Sequence, residues 1–152
     1  MAIAYLGLGT NIGNKRRNMI TAAALLAERV GDILALSGFY ETEPWGFESE
    51  NFFLNAAVKL KTSFSPLELL QITQQIEKEL GRTEKSNGAY HDRIIDIDIL
   101  LYDDEVLRTP QLTLPHSLMH ERKFVMDPLS EIAPFVVHPV LKERIIDLKE
   151  RL

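Results

Sequence analysis

The chain has 152 residues, enough for one domain over 1–152 that buries roughly two-thirds of its unfolded surface. Its net charge of −5 argues against a general nucleic-acid binder or a protein that docks on anionic membranes. Cysteine is absent, which excludes a disulfide framework, a thiolate nucleophile and a thiolate metal site.

The first residues lack a basic region followed by a long apolar core, and no apolar run reaches membrane-spanning length, so a cytoplasmic protein is expected. Ala2 to Leu8 reads as a short buried strand ending in the turn Gly9-Thr10-Asn11-Ile12-Gly13-Asn14. The spacing of Gly7, Gly9 and Gly13 fits neither the dinucleotide fingerprint nor the Walker loop, and a tight strand-to-helix turn is the plainer reading. Asn14 can cap a helix whose apolar stripe is Met19, Ala22, Ala23, Leu26 and Val30, with Gly31 as its stop.

Ile33 to Glu41 reads as a second strand, running into Thr42-Glu43-Pro44-Trp45-Gly46-Phe47. The rings of Trp45 and Phe47 either line a pocket or fold back onto the core. Phe52 to Thr62 is a third strand, on which the polar Asn55 needs a partner, from a ligand or from a backbone group. Ser65-Pro66-Leu67-Glu68 is a capping box with proline at the first helical position. The helix runs to Leu80, with Leu69, Ile72, Ile76 and Leu80 as its core stripe. Gln74 and Glu77 lie beside that stripe, where a solvated flank explains them.

Arg82 to Asp92 has no apolar period and reads as a mobile loop placed to act as a lid. It leads into Arg93–Tyr102, a strand by composition. Strict alternation puts Ile95, Ile97, Ile99 and Leu101 on one side and Asp96 and Asp98 on the other, between Ile94 and Leu100. The Cα atoms of the two aspartates are then about 6.6 Å apart. At an effective dielectric of about 20 the carboxylates repel by roughly 2 kcal/mol. Divalent cations would relieve that repulsion; two solvated, salt-bridged aspartates are the bland alternative. After a solvated turn at Asp103-Asp104-Glu105, Leu112 to His116 looks extended, Met119–Met126 and Pro128–Ala133 look helical, Phe135–His138 extended and Leu141–Leu152 an amphipathic terminal helix.

The first six elements read strand-helix-strand-strand-helix-strand. That order predicts an α+β, ferredoxin-like βαββαβ antiparallel sheet with helices packed on it and a C-terminal extension. The first and last strands, with the glycines and the aspartates, should then be neighbours. Carboxylates for metal, combined with the basic residues Arg82, Arg93, His116 and Arg122, are the groups phosphoryl transfer needs.

The run Arg93-Ile94-Ile95-Asp96-Ile97-Asp98-Ile99-Leu100 resembles the signature of the 6-hydroxymethyl-7,8-dihydropterin pyrophosphokinases. Gly7-Leu8-Gly9-Thr10-Asn11, Phe39-Tyr40-Glu41-Thr42, Asn51 to Val58, Gly81-Arg82, Leu114-Pro115-His116 and Pro128 to Pro134 follow the family pattern in order. The resemblance implies transfer of the β,γ-diphosphate of ATP to the pterin hydroxymethyl group, with two Mg²⁺ ions, ATP as co-substrate and AMP as product. It implies Asp96 and Asp98 as metal ligands and Arg82 and Arg93 on the phosphates. Thr42 and Asn55 would serve the pterin's polar edge and Phe53 and Phe124 its faces, with Pro44, Trp45 and Tyr90 completing the substrate-binding set. Gln74, Glu77, Ile99, Thr113, His116 and Arg122 would bind the nucleotide. Small-molecule partners only, a monomer, and work beside a dihydropteroate synthase are the corresponding expectations.

The chain departs from the pattern at several positions. His91-Asp92 precedes Arg93 in place of a small pair, and Tyr90 stands where many members have Trp. Glu84, Gln111 and Ser117 occupy positions of Arg, Arg and Tyr, while Glu43 and Trp45 replace Pro and Leu. Each lost arginine removes a phosphate contact worth about 1.5–3 kcal/mol. The competing readings are a non-catalytic ligand-binding module on the same scaffold and another Mg-dependent enzyme such as a nucleotidyltransferase.

Overall fold

A computed structural model describes residues 1–43, 52–81 and 94–152. The elements are β1 (Ala2–Thr10), α1 (Lys15–Arg29), β2 (Gly31–Leu36), β3 (Tyr40–Thr42), β4 (Phe53–Thr62), α2 (Pro66–Glu79), β5 (Asp96–Tyr102), β6 (Leu107–Arg108), β7 (Thr113–Leu114), α3 (Lys123–Ile132) and α4 (Ile145–Glu150). The main sheet has the order β2-β4-β1-β5, all neighbours antiparallel, and β3 also pairs with β4. This is the ferredoxin-like arrangement expected from the order of elements, and the aspartate strand does lie beside the glycine strand.

The helix starts follow their sequence signals. Asn14 Oδ1 accepts the Arg17 N–H at 3.1 Å. Ser65 and Glu68 exchange side-chain and backbone bonds at 3.3 and 3.0 Å, with Pro66 at the first helical position. Gly31 is the first residue of β2 rather than a left-handed helix stop; a Cβ there would lie 1.9 Å from the Lys61 carbonyl oxygen. Close approach of the β4 backbone, not a special φ, requires glycine at that position.

One core lies between the sheet and α1 and α2, built on Leu6, Leu8, Met19, Leu26, Val58, Leu60, Leu69, Ile76, Ile95, Ile97 and Ile99. A second lies on the other face under α3 and α4, with Tyr5, Ala57, Leu100, Leu101, Met126, Leu129 and Ile145. Leu101 therefore does not share a side with Ile95, Ile97 and Ile99. The pairing with β1 shifts by one residue, Tyr5 facing Leu101 but Leu6 facing Ile99. Leu100 is the extra residue of a β-bulge, and beyond it the faces exchange.

Three other segments differ from the sequence reading. Ile33–Glu41 is broken after Leu36, and Ser37 bridges the gap, its N–H donating to Ala57 O and its Oγ accepting the Ala57 N–H. The two helical candidates around Pro128 are one helix, α3, preceded by a single 3-10 turn over Met119–Glu121. Pro128, the sixth helical residue, has no N–H to offer the Phe124 carbonyl one turn earlier. The terminal helix is short because Val137 pairs with Arg144 and His138 Nδ1 accepts the Val140 and Leu141 N–H groups, which commits residues 139–143 to a turn. No helix among the described residues is long and apolar enough to cross a membrane.

Candidate active site

On the sheet face turned toward α3, β1 presents Gly7 and Gly9 where larger side chains would otherwise stand. Gly9 pairs with Asn55 of β4 on one side and Asp96 of β5 on the other; Gly7 pairs with Ala57 and Asp98. Side chains opposite one another across adjacent strands start only about 5 Å apart. The absence of side chains in the middle strand therefore leaves a trough between Asn55 and the two aspartates. A Cβ on Gly9 would lie 3.4 Å from Asn55 Oδ1 and 3.7 Å from Phe53 Cδ1. The glycines form the floor of the site. The turn expected from Gly9 onward begins later, since β1 runs to Thr10 and holds both glycines; their i, i+2 spacing within a strand is the signal for this role.

The trough opens into a cleft between the sheet and the start of α3. Thr42, Phe53, Asn55, Asp96, Asp98 and Phe124 all line it, with Arg122 and Val125 from the start of α3. Glu43 joins them. Asn55 is buried, and its amide nitrogen donates to Thr42 Oγ1 at 2.7 Å and Tyr40 O at 3.4 Å. Protein groups on β3 thus supply partners for its N–H bonds, and the pairing joins the two polar residues into one unit. Arg122 is buried, its guanidinium carbon 5.8 Å from the Phe124 ring centroid, and burial lowers its pKa. Asn18 Nδ2 bonds to Thr10 Oγ1, Ile12 O and Ile94 O, tying the end of β1 to the approach to β5.

The nucleotide candidates divide. Arg122 lies in the cleft with the aspartates. Thr113 and His116 line a second cleft with Arg108, His120 and His138. The two regions meet along β5, since the His116 N–H donates to Leu100 O at 2.9 Å. Glu77 is not on a solvated flank; it is buried, and its Oε2 accepts the Ile97 N–H at 2.8 Å on the outer edge of β5. Gln74 is half-buried one turn earlier on α2. The Ile99 side chain belongs to the core under α1 and α2 and lines neither cleft. Pro44, Trp45, Arg82, Tyr90 and Arg93 lie outside the described residues, as do the rest of the expected lid, Glu84 and His91-Asp92.

Asp96 and Asp98 supply oxygen donors on one face, the set that hard cations such as Mg²⁺ prefer, completed in such sites by water and phosphate. No group of three or more His, Cys, Asp or Glu able to hold a metal occurs among the described residues.

Residues 5–134 match the family model for 7,8-dihydro-6-hydroxymethylpterin-pyrophosphokinase (HPPK). The chain is 55% identical over 141 residues to a Porphyromonas gingivalis 2-amino-4-hydroxy-6-hydroxymethyldihydropteridine pyrophosphokinase, covering 91% of this chain and 95% of the relative. An Aquifex aeolicus protein of the same name is 44% identical over 149 residues, covering 98% and 91%. Among solved structures, a Plasmodium falciparum HPPK-DHPS chain, described with pteroate, shares the fold at a TM-score of 0.80 and 20% identity. The alignment covers 99% of this chain but only 42% of that longer one.

Proposed function

Because this chain belongs to the 7,8-dihydro-6-hydroxymethylpterin-pyrophosphokinase family, we propose that it transfers the β,γ-diphosphate of ATP to the hydroxymethyl oxygen of 6-hydroxymethyl-7,8-dihydropterin in folate biosynthesis. The hydroxymethyl oxygen forms a bond to the β-phosphorus, the bond from that phosphorus to the AMP oxygen breaks, and the hydroxyl proton is released. The observation that carries the reading is that Asp96, Asp98 and Asn55 converge on one cleft floored by Gly7 and Gly9.

In this reading the pterin occupies the cleft, its polar edge at the Asn55–Thr42 pair and its ring against Phe53 and Phe124. Asp96 and Asp98 would hold two Mg²⁺ ions, which neutralise charge on the transferred diphosphate. Arg122 reaches the cleft with a guanidinium for phosphate, and Arg82 and Arg93 are assigned to the same task from their match to the family pattern. The nucleotide lies along the outer edge of β5, near Gln74, Glu77, Thr113 and His116. Ile99 would contribute there through its backbone, whose N–H follows that of Ile97 along the same edge. A single domain over 1–152, working as a cytoplasmic monomer, completes the proposal. Work beside a dihydropteroate synthase draws support from the HPPK-DHPS name of the longer P. falciparum chain.

Incubation with ATP, Mg²⁺ and the hydroxymethyl-dihydropterin should release AMP and the pterin diphosphate, and chelation of the metal should stop turnover. Release of ADP instead, or pterin binding with neither turnover nor metal dependence, would overturn the assignment.

A further inference from the structure

Two walls of the cleft come from elements far apart in sequence. One is the start of α3, with Arg122, Phe124 and Val125; the other is β3, with Thr42 and the Glu43 that follows it. β3 is only three residues long and joins the sheet through Tyr40–Thr42 opposite Asn55–Phe53. So short a ladder holds a strand weakly. Yet it must present Thr42 Oγ1 to Asn55 at 2.7 Å.

Glu131, in the last turn of α3, connects the two walls. Both of its carboxylate oxygens accept the Gly38 N–H at 3.1 Å, and Oε1 accepts the Tyr40 hydroxyl at 2.6 Å. Gly38 lies in the break between β2 and β3, and Tyr40 is the β3 residue paired with Asn55. One side chain therefore fastens both the entry to β3 and its first residue to the helix that forms the opposite wall. The bonds are charge-assisted and directional, which suits them to fixing a geometry in an exposed place where burial contributes little.

We propose that Glu131 is a positioning residue for the substrate-binding wall: by clamping Gly38 and Tyr40 to α3 it sets the Thr42–Asn55 pair, and so governs affinity for the pterin but not for the nucleotide. The inference rests on the assignment of the cleft to the pterin. Glu131 itself is not among the residues that line the cleft.

The test compares the wild-type chain with Glu131→Ala, Glu131→Gln and Tyr40→Phe, titrating hydroxymethyl-dihydropterin and a non-hydrolysable ATP analogue separately and following AMP release. Glu131→Ala should weaken pterin binding about tenfold, the equivalent of one charge-assisted hydrogen bond, and raise the KM for pterin in step. Its affinity for the ATP analogue and its kcat at saturating pterin should stay within about twofold. Tyr40→Phe should show a smaller loss, because Gly38 keeps its acceptor, and Glu131→Gln should recover most of the affinity. As a control, Arg29→Ala breaks the exposed Arg29–Glu79 pair between α1 and α2. It should lower the melting temperature without changing pterin affinity. Pterin affinity unchanged in Glu131→Ala, or equal losses for pterin and nucleotide, would overturn the proposal while leaving the enzyme assignment intact. A wild-type chain that neither binds pterin nor releases AMP would instead overturn the assignment itself.

Discussion

Glu77 Oε2 accepts the backbone N–H of Ile97 at 2.8 Å, so a carboxylate from α2 occupies the edge of the strand that carries both aspartates. The pair is buried, and removing the carboxylate leaves an amide in the core without that acceptor. Glu77→Ala should cost about 1–3 kcal/mol. For a chain of this size that lowers the melting temperature by roughly 3–10 °C. Glu77→Gln, which retains an acceptor, should lose less. Thermal unfolding of the two variants checks the order.

Asp98 lines the cleft opposite Gly7, two residues along the sheet from the Gly9–Asn55 pairing, and the proposed function gives it a cation to hold. Asp98→Asn should reduce kcat by about a hundredfold or more while changing pterin affinity by less than about threefold, because the lost charge acts on the group in transfer. Parallel measurement of AMP release and of pterin binding separates the two effects, and equal losses would contradict the metal role.

Gly9 tolerates a methyl group in the fold but not in the site. The added Cβ would meet Asn55 Oδ1 and Phe53 at 3.4 and 3.7 Å, ordinary contact distances, while filling space above the floor. Gly9→Ala should weaken pterin binding about tenfold with a stability change within about 1 kcal/mol. Calorimetric titration and thermal unfolding together read both numbers.

His138 is buried, and its Nδ1 accepts two backbone N–H groups, so the neutral ring is the form the fold uses. Burial, and then the neighbouring His120 ring, lower its pKa below 6.5. The unfolded chain therefore binds this proton more tightly. The stabilisation is complete above pH 6.5 and is lost as pH falls through the lower folded value. His138→Asn keeps an acceptor but cannot titrate in this range, so its melting temperature should fall less steeply than that of the wild type below pH 6.5. Parallel slopes would refute the assignment.

Tyr40 gives the opposite sign at the alkaline end. Its bond to Glu131, with smaller effects of burial and of the charges on Glu131 and Asp127, raises the phenol from 10.0 to about 12. The folded state holds that proton more tightly, so the contribution is present below pH 10 and lost as pH rises toward 12. Tyr40→Phe should lack this alkaline loss, and unfolding measured across the interval shows the difference.

Much of the fold was legible because its signals are local. Asn14 and the Ser65–Glu68 box mark helix starts by side-chain chemistry that needs no tertiary partner. The alternation through Ile95–Ile99 placed Asp96 and Asp98 together on the correct face. What escaped depends on the facing element. The Leu100 bulge exists only in the register with β1, and the break at Ser37 only through its two bonds to Ala57. Glu77 looked like a solvated flank because its partner, the Ile97 amide, is a backbone group with no mark in sequence. The roles of Gly7 and Gly9 became readable once their neighbours across both strands were known.

The additional residue at Leu100 divides β5 into two lengths that answer to different neighbours. Upstream, the acids keep step with the glycines of β1; downstream, Leu101 turns beneath α3 and α4, and Tyr102 returns to the opposite core. The kink thus lets one strand serve both sides of the sheet: the carboxylates keep to the face of the trough while the residues after Leu100 are free to pack against other elements.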